Sequence, residues 1–89
     1  MPYPKTMSDI VKSIAEAICD NIDMIEVTEL ESSASSTIDI RVAKEDLGKM
    51  IGKRGDTAGA IRRIMYASSF KFCEAGQPPK RFNLDITAH

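Results

Sequence analysis

The stretch Ile51-Gly52-Lys53-Arg54-Gly55 places two adjacent basic residues between two glycines, with helix-like patterning on both sides. Glycine accepts positive φ and has no Cβ, so the turn can be tight and another backbone can approach it closely. A helix that follows such a turn presents free N–H groups and a positive dipole end to anions. The stretch therefore predicts a loop that contacts a phosphate chain, with Lys53 and Arg54 adding charge at its apex.

The spacing of the glycines excludes the common nucleotide-binding loops. A P-loop reads G-x-x-x-x-G-K-[ST], but only three residues separate Gly48 from Gly52, and Arg54 follows Lys53. A dinucleotide-binding fingerprint needs a further glycine at the position that Met50 occupies. The alternative that fits is a Gly-x-x-Gly turn between two helices.

Length and composition describe one ordinary globular domain. The chain has 89 residues, of which 43% are hydrophobic and 28% charged. It has neither an apolar run long enough for a transmembrane helix nor a secretory signal, so we expect it in the cytoplasm. Cys19 and Cys73 lack metal-ligand spacing and are expected to be reduced core residues, and the only histidine is His89. We therefore predict no metal, no cofactor and no enzymatic activity.

The formal net charge of −1 hides an uneven distribution. Residues 1–31 carry two basic and seven acidic side chains, a net charge of −5. Residues 44–63 carry six basic and three acidic side chains, a net charge of +3, and this segment surrounds the glycine loop. Distribution matters more than the sum for binding a charged partner, so the sequence permits an anionic ligand at the loop.

Hydrophobic periodicity predicts three helices. Ile10, Ile14, Ile18 and Ile22 recur at helical spacing after Ser8, a candidate N-cap, and we expect this helix to end near Asn21. A second, short helix opens at Glu45 and Asp46 and buries Leu47, Met50 and Ile51. A third, capped by Asp56 or Thr57, runs to about Ser69 and buries Ala58, Ile61, Met65 and Ser68, with Ile64 at the margin.

Alternation predicts three strands. Ile25 and Val27 face inward in the first strand, and the second buries Ile38, Ile40 and Val42 as an antiparallel neighbour of the first. The last strand buries Phe82, Leu84 and Ile86. The order αββααβ predicts a two-layer α+β domain over residues 8–89, with residues 1–7 as a flexible lead-in. Whether the segment from Phe70 to Lys80 is helix or loop stays open.

The stretch IGKRGDTAGAIRRI, within this element order, resembles the KH RNA-binding domain in its type II arrangement. Because a single such domain fills the chain, the resemblance is to the bacterial KhpA family. It implies a groove for single-stranded RNA beside the loop, flanked by residues 38–42 and 57–61, and a role as an RNA chaperone or post-transcriptional regulator. It also implies a homodimer, a complex with a larger KH protein of the KhpB/Jag type, or both.

Carried over by position, the resemblance assigns a set of RNA-binding residues. Gly52 and Gly55 shape the clamp, Lys53 and Arg54 contact phosphate, and Ile51 contributes to the floor of the groove. The remaining candidates are Lys49, Arg41, Thr57 and Arg62. A solvated helix face is an equally good interpretation of Lys49, Arg62 and Arg63.

Two further interpretations stay open at this stage. The chain could act mainly as a protein-interaction module that contacts RNA only within a complex. Tyr66, Phe70 and Phe72 could pack beneath the last strand or form an exposed patch used in dimerisation.

Overall fold

The helices and strands follow the order αββααβ in a computed structural model that describes residues 5–73 and 76–89. The α-helices are α1 (Met7–Ile18), α2 (Lys44–Ile51) and α3 (Asp56–Ser69). The strands are β1 (Glu26–Glu31), β2 (Ser35–Val42) and β3 (Arg81–Ala88). Two short 3-10 turns lie at Ile22–Met24 and Lys53–Gly55. The predicted α+β class and element order are confirmed.

The sheet has the order β1-β2-β3, with β1 antiparallel and β3 parallel to β2. The central strand β2 buries Ile38, Ile40 and Val42 completely, as its alternation predicted. In the parallel register Ile38 pairs with Leu84, which is also buried. The helices pack on the face that these residues share, and among residues 5–73 and 76–89 β1 and β3 have no further strand on their outer edges.

One core joins the helices to the sheet. Its buried members come from every helix and from the strands, and residues of α1 such as Val11 lie against those of β2. The buried hydrophobic side chains of this core are Met7, Val11, Ala15, Cys19, Ile25, Ile38, Ile40, Val42, Met50, Ile61, Met65 and Leu84. Cys19 and Cys73 are both free thiols; Cys19 is buried and Cys73 half-buried.

The start of α1 differs from the prediction because Thr6, and not Ser8, is the N-cap. Thr6 Oγ1 accepts the Asp9 amide at 3.2 Å, and the Asp9 carboxylate accepts the Thr6 amide at 3.2 Å. This reciprocal capping box satisfies two amides that a helix start otherwise leaves unpaired. Met7 is therefore helical and buried, whereas the predicted lead-in covered residues 1–7, of which 1–4 lie outside the described residues.

The buried stripe of α1 is rotated from the predicted one. Met7, Val11 and Ala15 are buried, while Ile10, Ile14 and Ile18 are partly buried and pack at the margin of the core. The helix also ends at Ile18, since Cys19 is extended, so Ile22 falls in the following 3-10 turn and is 48% exposed. The isoleucine stripe therefore contributes to the core as predicted, but Ile22 does not.

The core face of α3 matches the prediction at Ala58, Ile61 and Met65, but Ser69 is buried in place of Ser68. Ile64 is exposed, in agreement with its predicted marginal position. After Ser69 the chain leaves the helix through turns, and part of the segment from Phe70 to Lys80 lies outside the described residues. The aromatic residues at the end of α3 and just after it differ in exposure. Tyr66 and Phe70 are exposed, whereas Phe72 packs against the core.

Candidate nucleic-acid interface

The glycine loop is a single tight turn between α2 and α3. Helix α2 ends at Ile51, and Gly52 then adopts φ 79 and ψ 170, a conformation open almost only to glycine. Residues Lys53–Gly55 form one 3-10 turn, closed by the Gly55 amide donating to the Gly52 carbonyl at 3.2 Å. The loop therefore holds Lys53 and Arg54 at its apex, between Gly52 and Gly55.

Gly52 is required for a second reason, which is the close approach of α3. A Cβ added at Gly52 would lie 2.6 Å from the backbone nitrogen of Thr57 and would also meet its side chain. Because the nearest obstacle includes backbone, it could not be relieved by a side-chain rotation. Thr57, a predicted site residue, thus lies against the loop in the first turn of α3.

The rest of the loop has left-handed backbone. Arg54 has φ 58 and Gly55 has φ 78, and Arg54 is the one non-glycine residue with positive φ among residues 5–73 and 76–89. An ordinary L-residue in this region costs about 1–2 kcal/mol, and such strain concentrates at functional sites. The conformation turns the Arg54 side chain outward, where it is exposed beside exposed Lys53.

Helix α3 begins without a side-chain cap. Asp56 and Thr57 were the predicted caps, but Gly55, which has no side chain to accept a hydrogen bond, occupies the N-cap position. The first amides of a helix carry partial positive charge and have no intrahelical acceptor. The Asp56 amide donates to the Lys53 carbonyl. The loop therefore places the exposed side chains of Lys53 and Arg54, which have neither an ion pair nor a hydrogen bond in the described part of the chain, at the positive end of α3.

Lys49, in contrast to Lys53 and Arg54, is engaged in ion pairs. Its ammonium pairs with the carboxylate of Asp20 and lies 3.8 Å from an oxygen of Asp46. The hydrogen bond to Asp20 raises the pKa of Lys49, so the ammonium stays charged. Lys49 is directed toward the connection after α1, and a phosphate would have to compete with two carboxylates for it.

Asp46 is the residue that sequence reasoning missed. It was predicted only to open the second helix and was not among the residues expected to be buried, yet it is 1% exposed. Its two oxygens accept the backbone amides of Asp20 at 3.1 Å and Asn21 at 3.0 Å, and the Asn21 side-chain amide at 3.1 Å. The helical spacing from Asp46 to buried Met50 was the available signal, because such residues share one face.

Hydrogen bonding sets the charge of this carboxylate. The Asn21 amide lowers the pKa of Asp46 most, and the Asp20 amide and Lys49 lower it further against the opposing effect of burial. The buried thiol of Cys19 has the opposite shift, since burial and then the charge of Asp46 raise its pKa. Asp46 thus joins the end of α1 to α2, two turns before the glycine loop begins.

The other predicted residues are spread over two surfaces. Arg41 is exposed on β2 between buried Ile40 and Val42, so it projects from the sheet face opposite the helices. Ile51, immediately before Gly52, was predicted to be buried but is 40% exposed. Arg62 lies on α3, where its guanidinium donates to the Leu84 carbonyl of β3 at 3.3 Å.

The strand beside the accessible part of α3 is β3 and not β2. Residues 38–42 were expected to flank a ligand, but β2 is the central strand and its helix-facing side chains are buried. The edge strand β3 packs against both α2 and α3, and its outer edge is unpaired by any strand in residues 5–73 and 76–89. The groove beside the accessible part of α3 is therefore the surface between α3 and β3, which the hydrogen bond from Arg62 to the Leu84 carbonyl spans.

The family model of the "KhpA/KhpB, KH domain" matches residues 8–75, which include the glycine loop, α2 and α3. The chain belongs to the KhpA/KhpB family of KH domains. This is not an enzyme family, in agreement with the sequence-based prediction. The match extends from α1 to the turns after α3, so the KH domain here includes the elements that hold the loop on both sides.

Curated relatives in bacteria carry the name "RNA-binding protein KhpA". The chain is 46% identical to the one from Caldanaerobacter subterraneus subsp. tengcongensis over 65 residues, 73% of this chain and 87% of that protein. It is 38% identical to the one from Halalkalibacterium halodurans over 80 residues, 90% of this chain and 97% of that protein. No solved structure matches the chain.

Residues 5–73 and 76–89 hold no group of three or more His, Cys, Asp or Glu side chains placed to bind a metal ion. Among the helices that the structure describes, none combines the length and the apolar character needed to cross a bilayer.

The two glycines of the loop should respond differently to alanine. We expect Gly52→Ala to lower the free energy of unfolding by about 2–6 kcal/mol, because it combines a strained φ with a backbone clash. We expect Gly55→Ala to cost about 1–2 kcal/mol, since a Cβ there meets open space and only the backbone is strained. Chemical denaturation of both variants measures the difference, and equal losses would contradict this account of the loop.

Asp46 should contribute to the pH dependence of stability. Its folded-state pKa is lowered, so its contribution is present above the unfolded-state value of about 3.9 and is lost as the pH falls through the folded-state value. We expect Asp46→Asn to destabilise the protein at neutral pH and the difference from wild type to shrink below about pH 4. Denaturation at several pH values measures this. Exposed Asp23→Asn is the control, with an expected change below about 0.5 kcal/mol; a constant difference for Asp46→Asn down to acid pH would count against the assignment.

Proposed function

We propose that the chain binds single-stranded RNA and that the glycine loop clamps the RNA backbone. The observation that carries the proposal is the loop itself, in which the exposed side chains of Lys53 and Arg54, without an ion pair in the described residues, lie at the positive end of α3, a helix with no side-chain N-cap. Backbone amides at a helix start and basic side chains are the groups that bind phosphate oxygens in nucleic-acid complexes. The printed names of the relatives support the same ligand.

Each loop residue has a distinct role in this proposal. Gly52 and Gly55 allow the tight turn, Thr57 holds α3 against it, and Lys53 and Arg54 contact phosphates. Ile51, which is apolar and 40% exposed, provides a surface for a base next to the clamp. A KH loop of this kind holds about four nucleotides of backbone, so the loop supplies grip and the neighbouring groove supplies base preference.

Arg62 can contribute from the groove, because its guanidinium already lies across the gap between α3 and β3. Lys49 and Arg41 are weaker candidates. Lys49 is engaged with Asp20 and Asp46, and Arg41 projects from the far face of the sheet. A ligand that followed only the helical side of the domain would not reach Arg41.

We propose an RNA chaperone or post-transcriptional regulator acting in the bacterial cytoplasm. A second candidate function is a protein-interaction module that contacts RNA mainly within a complex with a larger KH protein of the KhpB/Jag type. Two observations support this second candidate function: the net charge of −1, and the family description that names KhpA and KhpB together. Titrating RNA into the isolated chain separates the two, because shifts of the Gly52–Gly55 amides favour direct binding and an unresponsive loop favours the complex.

We also propose a homodimer formed through α3. Ile64 is 44% exposed on the flank of this helix, with small Ala60 and Ala67 beside it on the outward side. An exposed isoleucine flanked by small residues permits close packing of a second helix. A dimer would present two loops to one RNA, and linking two weak sites raises the overall affinity through effective concentration.

Reversing the charge at the loop apex should abolish RNA binding without unfolding the chain. Both side chains of Lys53→Asp/Arg54→Asp are exposed, and Asp tolerates the left-handed backbone of residue 54 better than most residues. We expect RNA affinity at low salt to fall by at least about 100-fold, since hydrogen bonds to charged groups contribute about 1.5–3 kcal/mol each. Fluorescence anisotropy with a labelled RNA oligomer measures the loss.

The matched control is Lys5→Asp/Lys12→Asp, which makes the same change in net charge on exposed residues at the N-terminal end of the domain. We expect it to retain most of the affinity. Circular dichroism of both variants checks that they are folded. Undiminished binding by the loop variant would overturn the clamp, and equal losses in both variants would point to overall charge alone.

Ile64→Asp should convert the proposed dimer into a monomer, because it places a charge where an apolar contact forms. Ile22→Asp is the matched control, since Ile22 is exposed to a similar extent but lies in the 3-10 turn after α1. Sedimentation velocity measures the mass of each protein, with a dimer expected for wild type and Ile22→Asp. A monomeric wild type at high concentration, or a dimeric Ile64→Asp, would rule out this interface.

A further inference from the structure

A hollow lies at the far end of the groove, between the last two turns of α3 and the start of β3. Its volume is about 400 Å³, and its lining includes Arg62, Met65, Tyr66, Ser69, Lys80 and Phe82. Ser69 turns inward and donates its hydroxyl to the Tyr66 carbonyl at 2.6 Å, so it is already satisfied. The lining therefore offers an apolar base with aromatic and cationic side chains around it.

Tyr66 gives the hollow an open aromatic surface. Tyr66 is 69% exposed. Phe70 meets it edge to face, with ring centroids 5.4 Å apart and an interplanar angle of 88°. Phe70 thus supports the Tyr66 ring from the side, and Tyr66 remains accessible to a planar ligand.

Three cationic residues border the same hollow, namely Arg62, Lys80 and Arg81. The Arg62 guanidinium lies across the gap to β3, held by the single 3.3 Å bond to the Leu84 carbonyl. The Lys80 ammonium is paired with Glu31 of β1, whose side chain is 65% exposed. Exposed ion pairs contribute little net stability, so a phosphate could take Lys80 from Glu31 at small cost.

The hollow lies further along α3 than the glycine loop. With a rise of about 1.5 Å per residue, Arg62 lies about 9 Å and Tyr66 about 15 Å along the helix from Asp56. Arg62 and Tyr66 are four residues apart and share the flank of α3 that faces β3. Ile64, the proposed dimer contact, is about 200° around the helix from Tyr66, so a second copy could bind without covering the hollow.

We propose that this hollow is a second nucleotide subsite for single-stranded RNA, with Tyr66 stacking on a base and Arg62 and Lys80 contacting phosphates. This inference rests on the proposed function, since the RNA must first be held by the loop. An exposed aromatic ring combined with cations is the arrangement that binds single-stranded nucleic acid with little sequence preference. The subsite extends the RNA track beyond the nucleotides that the loop clamps.

The test compares labelled oligouridines of about four and about eight nucleotides, the shorter matching the reach of a KH loop. We expect Tyr66→Ala to weaken binding of the longer oligomer about tenfold, the size of one lost stacking contact, and to leave the shorter one unchanged. Tyr66→Phe keeps the ring and should bind both oligomers like wild type. Glu31→Gln frees Lys80 and should strengthen binding of the longer oligomer only.

Three outcomes would overturn the subsite. The first is equal binding of the longer oligomer by Tyr66→Ala and wild type, and the second is an equal loss for both oligomers. The third is a length dependence that disappears in Ile64→Asp, because the second copy would then supply the extra contacts. If wild type bound neither oligomer, the clamp itself would fail, whereas loss of the length effect with intact binding of the shorter oligomer removes the subsite alone.

Discussion

The close approach of the Gly52 backbone to Thr57 is the constraint on which the site depends. Helices α2 and α3 are joined by only one short turn, and the first turn of α3 lies where a Cβ of residue 52 would otherwise be. This contact fixes the direction in which α3 leaves the loop. It thereby fixes where the positive end of α3 points and which flank of α3 faces β3. A looser turn would separate this end of the helix from the side chains of Lys53 and Arg54, which in the proposed clamp act together on one phosphate chain.

Asp46 secures the other side of the same turn. Helix α2 has eight residues, too few to be stable by propensity alone, and it lacks a side-chain N-cap. The buried carboxylate compensates by binding two backbone amides of the connection after α1. Those amides would otherwise be left without partners beside the core, which is costly, so the carboxylate and the connection satisfy each other. Lys49 reduces the electrostatic cost of the buried charge and is thereby drawn away from the loop.

The features that could be predicted from the sequence are those that depend on residues close together in the chain. The alternation in β2 and the helical spacing of Ala58, Ile61 and Met65 reflect the period of one element, and both were correct. The glycine loop was recognised because positive φ requires glycine at fixed positions. Burial of Asp46 depends on amides that are 25 and 26 residues distant, and no periodicity encodes that. Placing β3, and not β2, beside the groove required the parallel pairing, which only the folded chain contains.

The fold determines which charged side chains of the chain are paired with one another and which are not. The net charge of −1 is opposite to what a nucleic-acid ligand favours, and residues 1–31 alone carry −5. In the folded chain part of that negative charge is used internally: Asp20 pairs with Lys49, Glu31 pairs with Lys80, and Asp9 caps α1. The cations at the loop apex have no such partners in the described residues. In the proposed clamp an anion is attracted to the positive charge at the loop apex, although the sum of the charges in the chain is unfavourable, because the distribution of charge matters more than its sum.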